Sequence, residues 1–440
     1  MSEPTAHPQA PDPGNDEYDE RQETARLRAK RRRARRVLLA ALLAILVALG
    51  IAPIWPWLLP AFIWEGPLVQ MASGQGMTLV WYMTRPVSHG LTVTVGEEGR
   101  LFPVETEGSR CRAVVTGLEP GRSYPYAIRL GRRSLAEDEL RTNKPPGEPF
   151  TFIVLGDSGR GSQEQYRLAH GMIALDPDFV LHTGDVVYSA GQRENYRERF
   201  FEPYAPLLAR VNFWPCLGNH DVYEPDLGRP YHEVFELPEN GPPEQPPERN
   251  YWFDYADARI AVIDSNVDAA ALAEQTAPWL ENVLSQTSAR WKFVVFHHPP
   301  YTAGHYPPDQ RIQNTLVPVF ESTSVDVVFN GHDHMYQRTL PLRGGVPAGT
   351  DASPGAGLEG EPPGAPPPAP GVVYIVTGAG GARLYQALPP EQRPPYCAAL
   401  NDAVHSFTYV SVAGAELALR QIDIEGRIID EWTLRKAEPQ

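Results

Sequence analysis

Residues 325–334 read VDVVFNGHDH. The opening VDVVF is short, mostly apolar and β-branched, the pattern of a buried strand, and Asn330 and Gly331 break it. His332 and His334 follow at i, i+2, which sends both imidazoles to one side of an extended segment. Imidazole is the commonest side-chain metal ligand. Alone, such a pair would more often be two surface histidines in a polar turn. Four other strand-then-turn segments end in the same way: Asp157 (LGDSG), Asp185 with Tyr188 (GDVVY), Asn219 with His220 (GNHD), and His297 with His298 (VVFHHPPY). Five such endings point to one sheet edge where ligands gather, because in open α/β sheets function collects at the carboxyl ends of strands.

Working outward, strands are expected at 150–155, 179–183, 213–217, 260–264, 292–296, 325–329 and 372–377. Helices are expected between them at 163–175, 193–210, 269–287 and 311–321, which is an α/β alternation. Residues 407–412, 416–421 and 427–433 read as terminal antiparallel strands. The catalytic domain so defined runs over 148–437, with a Pro/Gly/Ala-rich disordered insertion at 346–370. Residues 377–381, TGAGG, lack the Lys and following helix of a phosphate loop and read as a tight return beside the site.

In front lies a small all-β domain over 65–144, with alternating segments at 78–82, 91–95, 112–115 and 124–128 and a linker at 143–147. Its stretch GLEPGRSYPY, residues 117–126, resembles the tyrosine corner of a fibronectin type III sandwich, with Trp81 as core tryptophan. The expected role is a spacer or a wall for the neighbouring domain.

Residues 1–36 form a polar, disordered tail that ends in RLRAKRRRARR (26–36), eight basic residues in eleven. Residues 37–64 carry no charge over 28 positions, enough to span a bilayer, with Trp55, Trp57 and Trp64 suited to the far interface. The basic run before the span predicts a cytoplasmic N-terminus and an extracytoplasmic, membrane-anchored catalytic domain. A secreted chain released by signal cleavage after Gly50 is the alternative. Beyond residue 64 there are 30 basic against 47 acidic residues, which excludes a general nucleic-acid binder. Cys111, Cys216 and Cys397 permit at most one disulfide and form no zinc-ribbon spacing.

Carboxylate, phenol, amide oxygen and imidazole together suit Fe, Mn or Zn. Seven such ligands with one bridging Asp fit two metals about 3.5–4 Å apart. The order GDSG, GDVVY, GNHD, VVFHHPPY, GHDH resembles the purple acid phosphatases of the calcineurin-like metallophosphoesterase superfamily. Two details select that branch: no His follows Asp157 in a D-x-H, and Tyr188 stands where other members carry a second Asp. The resemblance implies a four-layer α/β/β/α sandwich and a phosphomonoesterase using a metal-bound hydroxide. It implies Asp157, Tyr188, His334 and bridging Asp185 on Fe(III), and Asn219, His297, His332 and the same Asp185 on Fe(II), Zn or Mn. It further implies His220 over the substrate phosphate, oriented by Asp221, and His305 as the leaving-group acid. His298 competes with His297, which stands two residues before Pro299 as the family's ligand does. His182 is expected to support the site rather than ligate. A phosphodiesterase or nucleotide pyrophosphatase on the same metals, and a non-catalytic surface binding protein, are the other readings.

Overall fold

The computed structural model describes residues 30, 32–45, 60–223, 225–348 and 371–437. It divides into two units, 1–61 and 62–440. In the first, residues 32–45 are helical. No helix among the described residues is long and apolar enough to cross a membrane. Positions 46–59 of the expected span, the tail at 1–29 and most of the expected insertion (349–370) lie outside the described residues. The expected end of the span is corrected: Ile63 and Trp64 open a β-strand, paired with Met83 and its neighbours, and the Arg197 guanidinium lies 3.4 Å over the Trp64 ring. A strand that takes its hydrogen bonds from a neighbouring strand cannot extend a bilayer helix.

The second unit begins with eight strands: β1 (Ile63–Gln70), β2 (Gly76–Met83), β3 (Leu91–Val95), β4 (Arg100–Phe102), β5 (Glu105–Glu107), β6 (Arg110–Thr116), β7 (Ser123–Leu130) and β8 (Arg133–Arg141). They form two four-stranded antiparallel sheets, β1-β2-β6-β5 and β4-β3-β7-β8. Trp81 is fully buried, as expected. The tyrosine corner is Tyr124, whose hydroxyl accepts the Glu119 amide at 2.9 Å. Tyr126 instead donates to the Ala209 carbonyl at 3.0 Å, and Arg110 and Arg112 grip Glu236 at 2.6 and 2.8 Å. These contacts tie the sandwich to the next domain and make it a wall. Tyr124→Phe removes one bond at the corner and should cost about 1 kcal/mol of stability, read by thermal melting, without changing activity.

The α/β part continues with β9 (Phe150–Leu155), β10 (Phe179–His182), β11 (Asn212–Pro215), β12 (Tyr251–Tyr255), β13 (Ala258–Val262), β14 (Trp291–Val295), β15 (Val327–Asn330), β16 (Tyr336–Thr339), β17 (Leu342–Arg343), β18 (Val346–Pro347), β19 (Val373–Thr377), β20 (Cys397–Asn401), β21 (Ser406–Ala413), β22 (Glu416–Asp423) and β23 (Ile428–Arg435). One sheet runs β11-β10-β9-β21-β22-β23, the other β12-β13-β14-β15-β19-β16-β20. Period-2 side-chain direction makes the layers. Phe293 and Val295 of β14, Val327 and Phe329 of β15, and Val373 and Ile375 of β19 enter the core shared with Phe152 and Phe179 of the other sheet. Phe152 meets Phe293 edge-on at 5.4 Å across the two sheets. The alternate residues Val294, Val328 and Tyr374 form a second core with Leu280, Leu284, Ile312 and Phe320 from the helices. A one-residue slip would exchange the two faces, so the register is strongly specified. This is the expected four-layer α/β/β/α arrangement.

Two expected helices are interrupted. The run from 193 to 208 widens to π geometry over Arg197–Phe201 before Pro203, and the run from 269 to 285 does so over Leu272–Thr276 before Pro278. A proline ring clashes with the carbonyl four residues back and offers no N–H, and a wide turn accommodates both. The Arg199 carbonyl, four residues before Pro203, accepts the Gln165 side-chain amide at 2.7 Å instead. Val346 and Pro347, placed in the disordered insertion by the sequence, pair with Leu342 and Arg343. The three cysteines are free.

Candidate metal centre

Parallel registration brings the strand ends level. Leu155 of β9 pairs His182 of β10, which pairs Pro215 of β11, and in the other sheet Val295 of β14 pairs Phe329 of β15. Asp157, Asp185, Asn219, His297, His332 and His334 all follow within a few residues. Asp157, Asp185 and His332 have left-handed backbones, with φ of 56°, 55° and 70°. Such strain is tolerated only where surroundings hold it, and it clusters at functional sites. Here the Asp157 amide donates to the Gly184 carbonyl at 3.0 Å, and the His332 amide donates to Asp157 Oδ2 at 2.9 Å. Of the glycines directly before these residues, Gly184 takes a left-handed backbone, with φ of 92°, which turns the chain sharply into Asp185. Gly218 serves a different need, since a Cβ there would lie 2.1 Å from the Asp185 amide nitrogen and carboxylate.

The donors form two groups. In the first, the Tyr188 hydroxyl donates to Asp157 Oδ1 at 3.1 Å and lies 2.8 Å from His334 Nε2. Asp157, Asp185 and His334 bring their ligand atoms within 4.8 Å of one another. In the second, Asn219 Oδ1 is 3.0 Å from His297 Nε2 and 3.1 Å from His332 Nδ1. Asp185 Oδ1 stands 3.5 Å from His297 Nε2. The donor set fits two cations. His297 and His334 each use Nδ1–H to bond a backbone carbonyl, Thr183 at 2.8 Å and Arg383 at 2.6 Å, leaving Nε2 free for the centre. That is how metal-binding imidazoles are usually oriented. Asp157 and Asp185 are buried with no lysine or arginine paired to either among the described ion pairs. Burial alone would raise the Asp157 pKa, but His334, His297 and His332 outweigh it and hold the carboxyl below its usual range. Burial, with the charge of His297, pushes His332 down to about 3, so that imidazole is neutral and free to ligate.

His298 also lies within 4.8 Å of His297 and His332. Its Nδ1 is 2.8 Å from the Ser265 hydroxyl, whereas His297 shares Asn219 and Asp185 with the rest of the group, which favours His297. His182 is buried with Nε2 2.9 Å from Ser158 Oγ, beneath the site. Residues 377–381 make the expected tight return: a Cβ on Gly378 would lie 2.2 Å from the Asp333 carbonyl and 2.8 Å from Asp157 Oδ2.

One expected role is corrected. His220 is oriented by the Ser189 carbonyl, 2.5 Å from Nδ1, and not by Asp221. The Asp221 carboxylate is occupied by the amides of Val186, Val187 and Gly218, bracing the Asp185 and Asn219 loops together. His305 is exposed at the rim, its ring 4.9 Å from Tyr306 and 5.1 Å from Tyr385. His305→Ala should slow esters with poor leaving groups by about 10²-fold or more, and p-nitrophenyl phosphate far less. Equal losses on both would remove the acid role.

Sequence reasoning missed Asp333, which accepts from the Thr302 hydroxyl at 2.6 Å and the His305 and Tyr306 amides at 2.8 and 3.0 Å, locking the GHDH turn to the loop that follows His297. Its place between two candidate ligands was a usable signal. Tyr385, stacked on His334 at 4.0 Å, carries no local signal, because its loop lies far along the chain.

Residues 150–336 match the family described as calcineurin-like phosphoesterase. Purple acid phosphatase 4 of Arabidopsis thaliana is 25% identical over 332 residues, covering 68% of this chain and 88% of that protein. Probable inactive purple acid phosphatase 1 of Arabidopsis thaliana is 23% identical, covering 88% of this chain and 69% of that protein. Among solved structures, a purple acid phosphatase from yellow lupin (Lupinus luteus) seeds superposes with a TM-score of 0.69 at 18% identity, over 84% of this chain and 74% of that one, a likeness of fold.

Proposed function

We propose that this chain, similar to the purple acid phosphatases and matching the calcineurin-like phosphoesterase family over residues 150–336, is a metal-dependent phosphoric ester hydrolase with a binuclear site that cleaves phosphate monoesters. One observation carries the reading: two donor groups meet at a single buried carboxylate, Asp185, as a bridged metal pair requires. In this reading Asp157, Tyr188, His334 and Asp185 would hold Fe(III), and Asn219, His297, His332 and Asp185 would hold Fe(II), Zn or Mn. Such a pair supplies an activated water and neutralises charge on the transferring phosphoryl group. The protein does the rest. His220, with Nδ1 tied to the Ser189 carbonyl, keeps Nε2 for a phosphate oxygen. His305 stands at the rim as proton donor to the departing alcohol. Asp221 keeps the two loops in register through their amides.

The proposal also places this domain outside the cytoplasm, anchored by the uncharged stretch after the basic run. A mature chain starting near Ile51 would mark a cleaved signal instead.

The test compares p-nitrophenyl phosphate with bis(p-nitrophenyl) phosphate on metal-loaded full-length chain. A kcat/KM about 100-fold higher for the monoester supports the proposal. The reverse preference makes the protein a phosphodiesterase or nucleotide pyrophosphatase. No turnover of either, with both metals bound, leaves the binding-protein reading.

A further inference from the structure

The solvent side of the metal centre is rimmed by aromatic rings. Tyr306 lies nearly flat on His332, with centroids 4.2 Å apart and planes at 26°, and keeps 36% of its surface exposed. Tyr223 is 44% exposed; its ring is 4.8 Å from His220 and its hydroxyl accepts from Asn219 Nδ2 at 3.2 Å. Asn219 and His332 are themselves 3.1 Å apart, so the two exposed tyrosines rise from adjacent residues of one donor group. Tyr385, stacked on His334, meets Tyr306 edge-on at 5.8 Å and continues the rim. The Arg160 guanidinium lies 4.8 Å over the Tyr188 ring.

We propose that Tyr306 and Tyr223 are specificity-determining residues that select phosphate esters of planar aromatic alcohols over aliphatic ones. The inference rests on the phosphoesterase reading above, which places the phosphate at the metal pair. With the phosphate held there, the rest of the ester leaves past these rings. Each exposed tyrosine is held by a candidate ligand or by His220, so little side-chain freedom is lost when a ring docks. A planar ring packs against a tyrosine offset or edge-on, and one such pair is worth about 3- to 10-fold in affinity beyond simple area burial. A puckered aliphatic ring of the same size is at least as hydrophobic but cannot stack.

Phenylphosphonate and cyclohexylphosphonate provide the test, because neither has a leaving group and the two differ chiefly in planarity. Calorimetry on metal-loaded full-length chain should give about 10-fold tighter binding of the phenyl compound. Tyr306→Leu and Tyr223→Leu should each reduce that ratio, and together abolish it, whereas Tyr306→Phe keeps it. Inorganic phosphate should bind all variants alike, showing that the centre is intact. Equal affinity of the two phosphonates for wild type, or a ratio that survives the double Leu change, overturns the proposal. Absence of ester turnover would sink the phosphoesterase reading, and the phosphonate ratio would still decide this one.

Discussion

Asp185→Asn should lower kcat/KM for phosphate monoesters by about a thousandfold or more. Asp185 is the carboxylate that reaches both donor groups: it clusters with Asp157 and His334, and its Oδ1 stands 3.5 Å from His297 Nε2. Metal-ion stabilisation of a transferring phosphoryl group is worth several kcal/mol, and about 4 kcal/mol is roughly a thousandfold in rate. Bound metal should fall from two ions per chain to one or fewer. Asn preserves the shape, and its oxygen can still accept the His220 amide, 2.9 Å from Asp185 Oδ1. The metal-free protein should respond far less. Asp221, also buried, has its carboxyl pushed up to about 7, first by burial and then by the charge of Asp185. Removing that charge relieves a repulsion between two buried carboxyls but also takes a partner from His297, 3.5 Å away, so the two effects offset and the metal-free variant should melt close to metal-free wild type. The metal-loaded variant should melt lower than metal-loaded wild type, because less binding energy is added to the native state. Equal losses in both states would make Asp185 a structural carboxylate.

The architecture was legible where local pattern and global fold agree. VDVVF, FVVF and FTFIVL are short apolar runs closed by a turn, and each became a central strand whose end holds a candidate ligand. The order of the five turns then located the site, because parallel registration converts position after a strand into position in space. Other parts were hidden by neighbours in sequence. β1 runs on from an apolar stretch long enough to read as one span, and only its pairing with β2 separates it. β16 follows the GHDH turn directly and its YQRT has no clean alternation, yet it pairs with strands on both sides. Helix periodicity predicted one long helix through Pro203 and could not show that a wide turn would precede the proline. Asp221 was misjudged because adjacency to His220 in sequence is no guide to hydrogen bonding: the chain turns there, and three amides reach the carboxylate before the imidazole does. The aromatic rim was beyond reach, since Tyr223, Tyr306 and Tyr385 come from three separate loops.

Iron-loaded protein should be pink to purple, and Tyr188→Phe should bleach it completely. Tyr188 is only 2% exposed, with its ring 4.5 Å from His220 and its hydroxyl within hydrogen-bonding distance of Asp157 and His334. In the metal-free protein, burial first, and then the charges of Asp157 and Asp185, hold the phenol protonated well above its ordinary value. A bound cation inverts that balance, because it stabilises the phenolate more than water does. A phenolate on a ferric ion gives the visible charge-transfer colour that the family resemblance implies. The substitution is conservative for packing: Phe keeps the ring beneath Arg160 and beside His220 and loses only the oxygen. The cost to the metal-free fold should be about 1 kcal/mol, one hydrogen-bonding group. Hydrolysis should persist in part, since the other six candidate donors, Asp185 among them, are untouched. Absence of a visible band in iron-loaded wild type, or a band unchanged in the Phe variant, would rule out phenolate ligation. The aromatic contacts of Tyr188 would then be its whole role, and the remaining carboxylate, amide and imidazole donors would suit a Mn- or Zn-type phosphoesterase centre.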